Sequence, residues 1–395
     1  MLEDQALAPR QAADALPPGL PPAHAIEPPL ELPIRFTGSG SEYFRIWIVN
    51  LLLSILTLGI YSAWAKVRRL KYFYGNTLVD GSPLDYHGKP IAILKGRLVA
   101  AVLLLIWLGV QQFGDLKLVG IVFVLGLIIL PWLLVRSLRF QFFNTSYRGV
   151  RFGFQGATLR AYAVFGMSAL LLLPGVVMSF VSPLYMVPVL VLIAPLAHQQ
   201  LRKFLVDGVR YGNLPGSMRA SIGAFYLVYI LTVLIVLGAL VGIGLIGAAI
   251  PNVLLAAKTM ITLAGADAGL GRGVLALVVA IAVGAMVVFI LFAGPFFLVR
   301  IRNLVWSRSQ IGEHQFRSRA KVWPFIWITV SNFLLIFLTL GLFTPAAQIR
   351  KARYLIQSVA LVPQGSLDDI VATQQDRVSA VGQETADLFD IDIAL

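Results

Sequence analysis

The side chains best suited to proton transfer or metal binding in this chain are four histidines, His24, His87, His198 and His314, and a scatter of carboxylates. Their placement argues against both chemistries. The histidines are far apart and show no metal-ligand spacing, and with no cysteine at all, thiolate sites and disulfides are excluded. Asp80, Asp85, Asp115, Asp207, Asp267 and Glu313 sit between apolar runs rather than inside them, whereas ion-coupled transporters and intramembrane enzymes hold carboxylates at membrane depth. His198, close to Arg202 and Asp207 at the end of an apolar run, reads as an interfacial histidine ahead of a proton relay. There is no Gly-rich phosphate loop, serine elbow or paired-carboxylate arrangement. The expectation is a protein that is not an enzyme, with no cofactor and no bound metal.

Cations and buried amides remain. Lys66, Arg68, Arg69, Lys71, Arg136 and Arg139 directly follow apolar runs. There they either set membrane orientation or contact anionic lipid headgroups, a contact worth about 1 kcal/mol per charge. Asn50 and Asn332 lie inside apolar runs, each seven residues before a threonine. As intramembrane polar contacts they suit an interhelical hydrogen bond of about 1 kcal/mol or, failing that, a ligand. Trp47, Trp64, Tyr72 and Trp323 fit the role of interface anchors.

The elements that must position these residues are membrane helices. The chain is 58% hydrophobic and 13% charged with a mean hydropathy of +0.82, too apolar for a soluble core of 395 residues. Its formal charge of +13 would suit nucleic acid in a soluble protein, but the cations cluster in short loops beside apolar spans, the membrane-topology pattern. Residues 1–34 are acidic, proline-rich and without a signal-peptide core, and read as a disordered tail. An integral membrane domain is expected over 35–360 and a polar, acidic tail over 361–395. Full spans are expected near Leu98–Phe113, Leu118–Val135, Tyr162–Val181, Leu184–Leu196, Ile222–Ile250 and Val274–Val299, with an external loop from Pro251 to Arg272.

The segment after the first apolar run repeats. At one offset and without a gap, Arg68 aligns with Arg136, Lys71 with Arg139, Tyr72 with Phe140, Asn76-Thr77 with Asn144-Thr145, Gly81 with Gly149, Tyr86 with Phe154 and Gly88 with Gly156. Fainter copies run from Arg202 to Tyr211 and from Arg300 to Gly312, so the organising unit is helix, cations, turn. The alternation in Val150 to Phe154 predicts a short extended hairpin in each turn. The first and last membrane segments also match, Leu56-Thr57-Leu58-Gly59 with Leu338-Thr339-Leu340-Gly341. The fold class expected is therefore all-α: a helix bundle with internal repeats and small extended turns on its cytoplasmic face.

One set of residues carries a resemblance: Phe36, Gly38, Glu42, Tyr43, Phe44, Trp47 and Asn50, then Leu56 to Tyr61, Trp64 to Arg68, Tyr74 to Thr77, Gly81 and Tyr86. In these the chain resembles the YjgN-like family of bacterial inner-membrane proteins, whose domain has no assigned function. The resemblance is dense over about the first hundred residues and implies multi-pass residence in the inner membrane, with no catalytic or binding residue to carry over.

If the six spans cross, nearly all loop cations fall on one side, which positive-inside bias makes cytoplasmic. The first and last segments offer only about 12 to 16 apolar residues before their Thr-Leu-Gly, short of the roughly 20 needed to cross. Six crossings plus two re-entrant helices keep both tails inside; eight crossings are the alternative. Two functions fit: a non-enzymatic protein that binds lipid, anionic phospholipid above all, or takes part in envelope assembly, and a transporter or channel for a neutral or anionic solute. Partners are then membrane lipids, a second copy or an envelope protein, and not nucleic acid. In intact cells, a single cysteine at Ser366 is expected to stay unlabelled by an impermeant thiol reagent added from the periplasmic side; labelling there would rule out the six-crossing arrangement.

Overall fold

The computed structural model describes residues 31–179, 181–182, 185–263, 291–365, 368 and 371–374. After β1 (Leu32–Pro33) and β2 (Arg35–Phe36), two helices followed by short strands recur along the chain. The first unit is α1 (Gly40–Leu56), α2 (Ser62–Gly75), β3 (Thr77–Val79) and β4 (Ser82–Tyr86). The second is α3 (Pro90–Phe113), α4 (Leu116–Phe143), β5 (Thr145–Tyr147) and β6 (Val150–Phe154). The third is α5 (Thr158–Ser179), α6 (Met186–Gly208), β7 (Val209–Tyr211) and β8 (Leu214–Met218). The fourth holds α7 (Ile222–Leu263), helical residues 291–307 (α8), β9 (Ser309–Ile311) and β10 (His314–Ser318). The fifth has α9 (Val322–Leu338), α10 (Thr344–Gln357) and one strand of its own, β11 (Val359–Val362).

The missing second strand of the fifth unit comes from the start of the described chain. All strands lie in one antiparallel sheet of order β1-β11-β10-β9-β8-β7-β6-β5-β4-β3-β2. The two ends of that order are a single stretch of backbone, interrupted only at Ile34: Leu32 and Pro33 pair with Leu361 and Ala360, while Arg35 and Phe36 pair with Leu78 and Thr77. The sheet therefore closes into a ring. The same hydrogen bond marks each joint between units: Thr37 N–H to Asn76 O (3.0 Å), His87 to Asn144 (2.8 Å), Gln155 to Gly208 (2.8 Å), Arg219 to Arg308 (2.8 Å) and Arg319 to Ser358 (2.9 Å).

This ring overturns the all-α expectation. The turns expected to lie separately on the surface are strands of one sheet, because a hairpin of three- and five-residue strands is marginal alone and gains its stability from neighbours on both sides. Each hairpin still shows its local signals. Asp80-Gly81 and Arg148-Gly149 have paired positive φ (47° and 72°, 46° and 81°), the geometry of a tight two-residue hairpin turn. The repeated pairs behave alike: Asn76 Nδ2 donates to Tyr72 O and Asn144 Nδ2 to Phe140 O, both at 2.8 Å, and Thr77 and Thr145 hydroxyls donate to Phe73 O and Gln141 O.

Side chains from several hairpins meet inside the ring: buried Tyr147, Val150 and Tyr211 pack with Val79, Leu84, Phe152, Leu214 and Ile311. The Tyr147 hydroxyl donates to Val79 O (2.9 Å) and that of Tyr211 to Tyr147 O (3.1 Å). Val371, from the segment after β11, joins this cluster, and Gln374 Oε1 accepts from Asn213 N–H at 2.7 Å.

The helices rise from the ring in neighbouring pairs, and α1 packs on α10 as well as α2, so they close round as the strands do. Among the described residues five helical stretches are long and apolar enough to cross a membrane, lying within α3, α4, α5, α6 and α7. α1 and α9 have 17 residues each, about 25 Å against a hydrocarbon core of about 30 Å. Both end in the same corner. Leu58 (φ 48°) and Gly59 (φ 91°) reverse the chain into α2, and Leu340 (φ 50°) and Gly341 (φ 92°) reverse it into α10. Thr57 and Thr339 hydroxyls donate to Leu53 O and Leu335 O and accept from Tyr61 and Phe343 N–H. The exposed corner leucines, each 94% accessible, fit a tip that rests in lipid. The expected loop from Pro251 differs: α7 stays helical to Leu263, since a membrane helix tolerates glycine and proline that would end a soluble one. Residues 264–272 and most of the span expected at Val274–Val299 lie outside the described residues.

A packing rule recurs at each joint. Two residues after the buried Phe36, Tyr86 and Phe154 come Gly38, Gly88 and Gly156, where an added Cβ would approach those rings to 2.8, 2.6 and 2.4 Å. Where the ring is replaced by Met218 or Ser318, the later residue is Ala220 or Ala320. Gly156→Ala is thus expected to lose about 1–3 kcal/mol through overpacking, seen as a lower melting temperature in detergent, and Phe154→Met is expected to restore much of it by recreating the Met-Ala pair.

Candidate functional site

A cleft of about 250 Å³ opens where α1, α2, α3 and α10 meet above the ring. On α1, Tyr43, Trp47, Asn50 and Ser54 recur at helical spacing and share one face; on α2, Ser62, Lys66 and Arg69 do the same. α3 adds Arg97 and α10 adds Gln348. Among the described residues, the cleft thus carries three cations and no carboxylate.

Its polar groups are partly held. Arg97 Nη1 donates to Ser62 Oγ, and the Tyr43 hydroxyl donates to Gln348 Oε1 at 3.1 Å. Two features stay uncompensated. Lys66 keeps part of its surface exposed, yet withdrawal from water and then the like charges of Arg97 and Arg69 push its ammonium below the usual lysine range. Asn50 is 8% accessible and its Oδ1 has no hydrogen-bond partner. A buried acceptor left unpaired beside mutually repelling cations is a site that gains from an incoming group able both to accept from cations and to donate to an amide.

The equivalent position in the fifth unit shows the alternative. Asn332 is equally buried, but Arg350 Nη1 donates to its Oδ1 at 2.7 Å, its own Nδ2 donates to Ala347 O at 3.2 Å, and Arg350 also reaches Ser331 Oγ. Arg68, which corresponds to Arg350, instead sets its guanidinium 5.8 Å from the Tyr61 ring centre. One asparagine is closed off by its own arginine; the other lines the cleft with its oxygen buried and unpaired.

The structure therefore brings Lys66, Arg69 and Asn50 together and leaves the other expected residues elsewhere. Lys71 is exposed outside the cleft lining, Arg136 lies over the Trp132 ring at 5.4 Å, and Arg139 Nη2 donates to Gly156 O at 3.4 Å. His198 accepts from Arg202 Nε (3.0 Å), bonds the Tyr229 hydroxyl (3.0 Å) and packs edge-on against Phe225 and tilted against Phe297. Sequence reasoning missed Arg97 as a cleft residue. Its signal was adjacency in the fold, since nothing in the Lys95-Gly96-Arg97 run separates a loop cation from one aimed at α2.

A family model described as a bacterial protein of unknown function (DUF898) matches residues 31–388, beginning at the strand that closes the ring. The chain belongs to this family. Among similar proteins, one from Salmonella typhimurium named inner membrane protein YjgN is 33% identical over 155 residues, 39% of this chain and 39% of that protein. Another of the same name from Escherichia coli (strain K12) is 36% identical over 124 residues, 30% of each chain. The alignments thus span well under half the length of these relatives. No solved structure matches. With the apolar helices described above, the family places the chain among membrane proteins.

The twin asparagines should respond oppositely to leucine. Asn332→Leu strands the Arg350 guanidinium and is expected to cost about 1–3 kcal/mol, whereas Asn50→Leu removes an unpaired acceptor and should leave thermal stability within about 1 kcal/mol of the parent in lipid-free detergent. Equal losses in a melting experiment would contradict the assignment.

Proposed function

We propose that this chain is a non-enzymatic protein of the bacterial inner membrane that holds an anionic phospholipid of the cytoplasmic leaflet in the α1/α2/α3 cleft. The observation that carries this reading is a cleft lined by Lys66, Arg69, Arg97 and an Asn50 whose Oδ1 is buried and unpaired, with no carboxylate among the described lining residues. A phosphodiester satisfies the cations through charge-assisted hydrogen bonds, and a hydroxylated head such as glycerol supplies a donor for the amide oxygen. On this reading the ring faces the cytoplasm, where positive-inside bias puts the basic α2 and α10, and α1/α2 and α9/α10 are half-depth hairpins beside six crossings. The cleft then lies at headgroup level.

Solute transport is the other reading. The repeated units suit it, as transporter sites form between repeats. The packed cluster among the hairpins counts against it, because Tyr147, Val150, Tyr211 and Val371 are buried together with side chains from neighbouring strands.

The test is native mass spectrometry of the full chain released from nanodiscs containing phosphatidylglycerol. The triple variant Lys66→Gln, Arg69→Gln, Arg97→Gln is expected to retain this lipid about tenfold less at low salt, and the difference should shrink as ionic strength shortens the Debye length below about 8 Å. The control Arg68→Gln, Lys71→Gln should lose much less. A triple variant that holds phosphatidylglycerol as the parent does at low salt would remove the reading.

A further inference from the structure

A second cleft lies on the other side of the molecule, where α5, α6 and α7 leave the ring. It measures about 540 Å³ and differs from the first in its chemistry. Arg160 and Lys203 bring positive charge, Asp207 brings a carboxylate, Gln199 and Gln200 bring amides, and Val164, Phe204 and Ile222 give an apolar wall.

Comparison between units explains why Lys203 points to a ligand. At the corresponding place in three other units the side chain donates to the carbonyl at the following joint: Arg139 to Gly156 O (3.4 Å), Asn303 to Ala320 O (2.8 Å) and Arg353 to Gly38 O (2.8 Å). In the third unit the matching carbonyl, Ala220 O, accepts instead from Gln199 Nε2 at 3.1 Å. Lys203, like Lys71 at the same place in the first unit, makes no bond to its joint carbonyl, and neither it nor Arg160, both exposed, has an ion-pair partner among the described residues. The same exchange leaves Gln199, 4% accessible, with its Oε1 buried and unpaired at the cleft. Asp207 uses Oδ1 to accept from Met218 N–H (2.9 Å), which fixes the carboxylate and leaves Oδ2 as a second acceptor.

Two cations without ion-pair partners, one unpaired amide oxygen and one carboxylate with a second acceptor oxygen call for a ligand with both signs of charge. We infer that the α5/α6/α7 cleft binds the phosphoethanolamine head of a membrane lipid, with the phosphate at Arg160 and Lys203 and the ammonium donating to Asp207 and Gln199. A purely anionic head would meet the Asp207 carboxylate, and a quaternary ammonium has no N–H to give the two acceptors. The apolar wall and the position beside the membrane ends of α5 and α7 select the lipid-borne head over the free one.

This inference does not depend on the first cleft. Full-length protein in nanodiscs would be offered phosphatidylethanolamine, phosphatidylcholine and phosphatidylglycerol in equal amounts, and bound lipid read by native mass spectrometry. The parent is expected to retain phosphatidylethanolamine over phosphatidylcholine by about tenfold. Arg160→Gln with Lys203→Gln should reduce its retention about tenfold, while Asp207→Asn, which keeps the acceptor for Met218 N–H, should abolish the preference without abolishing lipid binding. The Lys66, Arg69, Arg97 triple should leave retention of phosphatidylethanolamine unchanged. Equal retention of the two zwitterionic lipids by the parent, or unchanged retention by the Arg160, Lys203 double variant, would overturn the inference. Soluble phosphoethanolamine that competes as well as the lipid would overturn the assignment to a membrane lipid.

Discussion

Closure of the strands into a ring is the constraint on which the rest of this structure depends. Each strand has two to five residues, so an isolated hairpin would leave as many backbone groups unpaired as it pairs. Pairing the second strand of each unit with the first strand of the next removes every edge but two, and those two are abolished because residues 32–36 serve both. The five joint hydrogen bonds show that the last seam, between fifth and first units, is built like the others. Since each helix pair starts and ends at the ring, closing the strands also dictates which helices meet: α1 finds α10, far away in sequence, because their strands are neighbours.

On so regular a scaffold, function is read from departures between equivalent positions. A buried asparagine is paired with arginine in the fifth unit and unpaired in the first. A joint carbonyl is capped by arginine or asparagine in the second, fourth and fifth units and by Gln199 in the third, which leaves the glutamine's own oxygen unpaired. Each exchange leaves fold and register intact while leaving hydrogen-bonding capacity unused beside a cleft next to the ring. The cost of an unpaired buried oxygen, on the order of 1–3 kcal/mol, is small enough for the ring and helices to carry and large enough to favour a ligand. Such pairs of equivalent residues give each cleft an internal control.

Much of this was legible in the chain itself. Membrane residence follows from apolar runs that no soluble core could bury, and the repeat from residues matched at one offset. The equivalence of Asn76-Thr77 with Asn144-Thr145, the tight turns at Asp80-Gly81 and Arg148-Gly149, and the 17-residue helices α1 and α9 all express local backbone preferences, which depend on nearby residues alone. So do the Thr-Leu-Gly corners, where a threonine hydroxyl bridges the end of one helix and the start of the next.

What the sequence determined by itself, then, was the unit: its helices, its cations, its turn and its recurrence. Only the tertiary structure decided that the turns form one ring, that residues 32–36 complete the fifth hairpin, that Val371 and Gln374 pack against the hairpins, and that Arg97 rather than Arg68 or Lys71 joins Lys66 and Arg69. The physical reason is common to all four. Strands of two to five residues carry too little periodicity to announce their partners, and a pairing between units tens to hundreds of residues apart leaves no local trace. Whether a cation at a helix end meets solvent, a ring face or an unpaired amide depends on the neighbour that closure brings beside it.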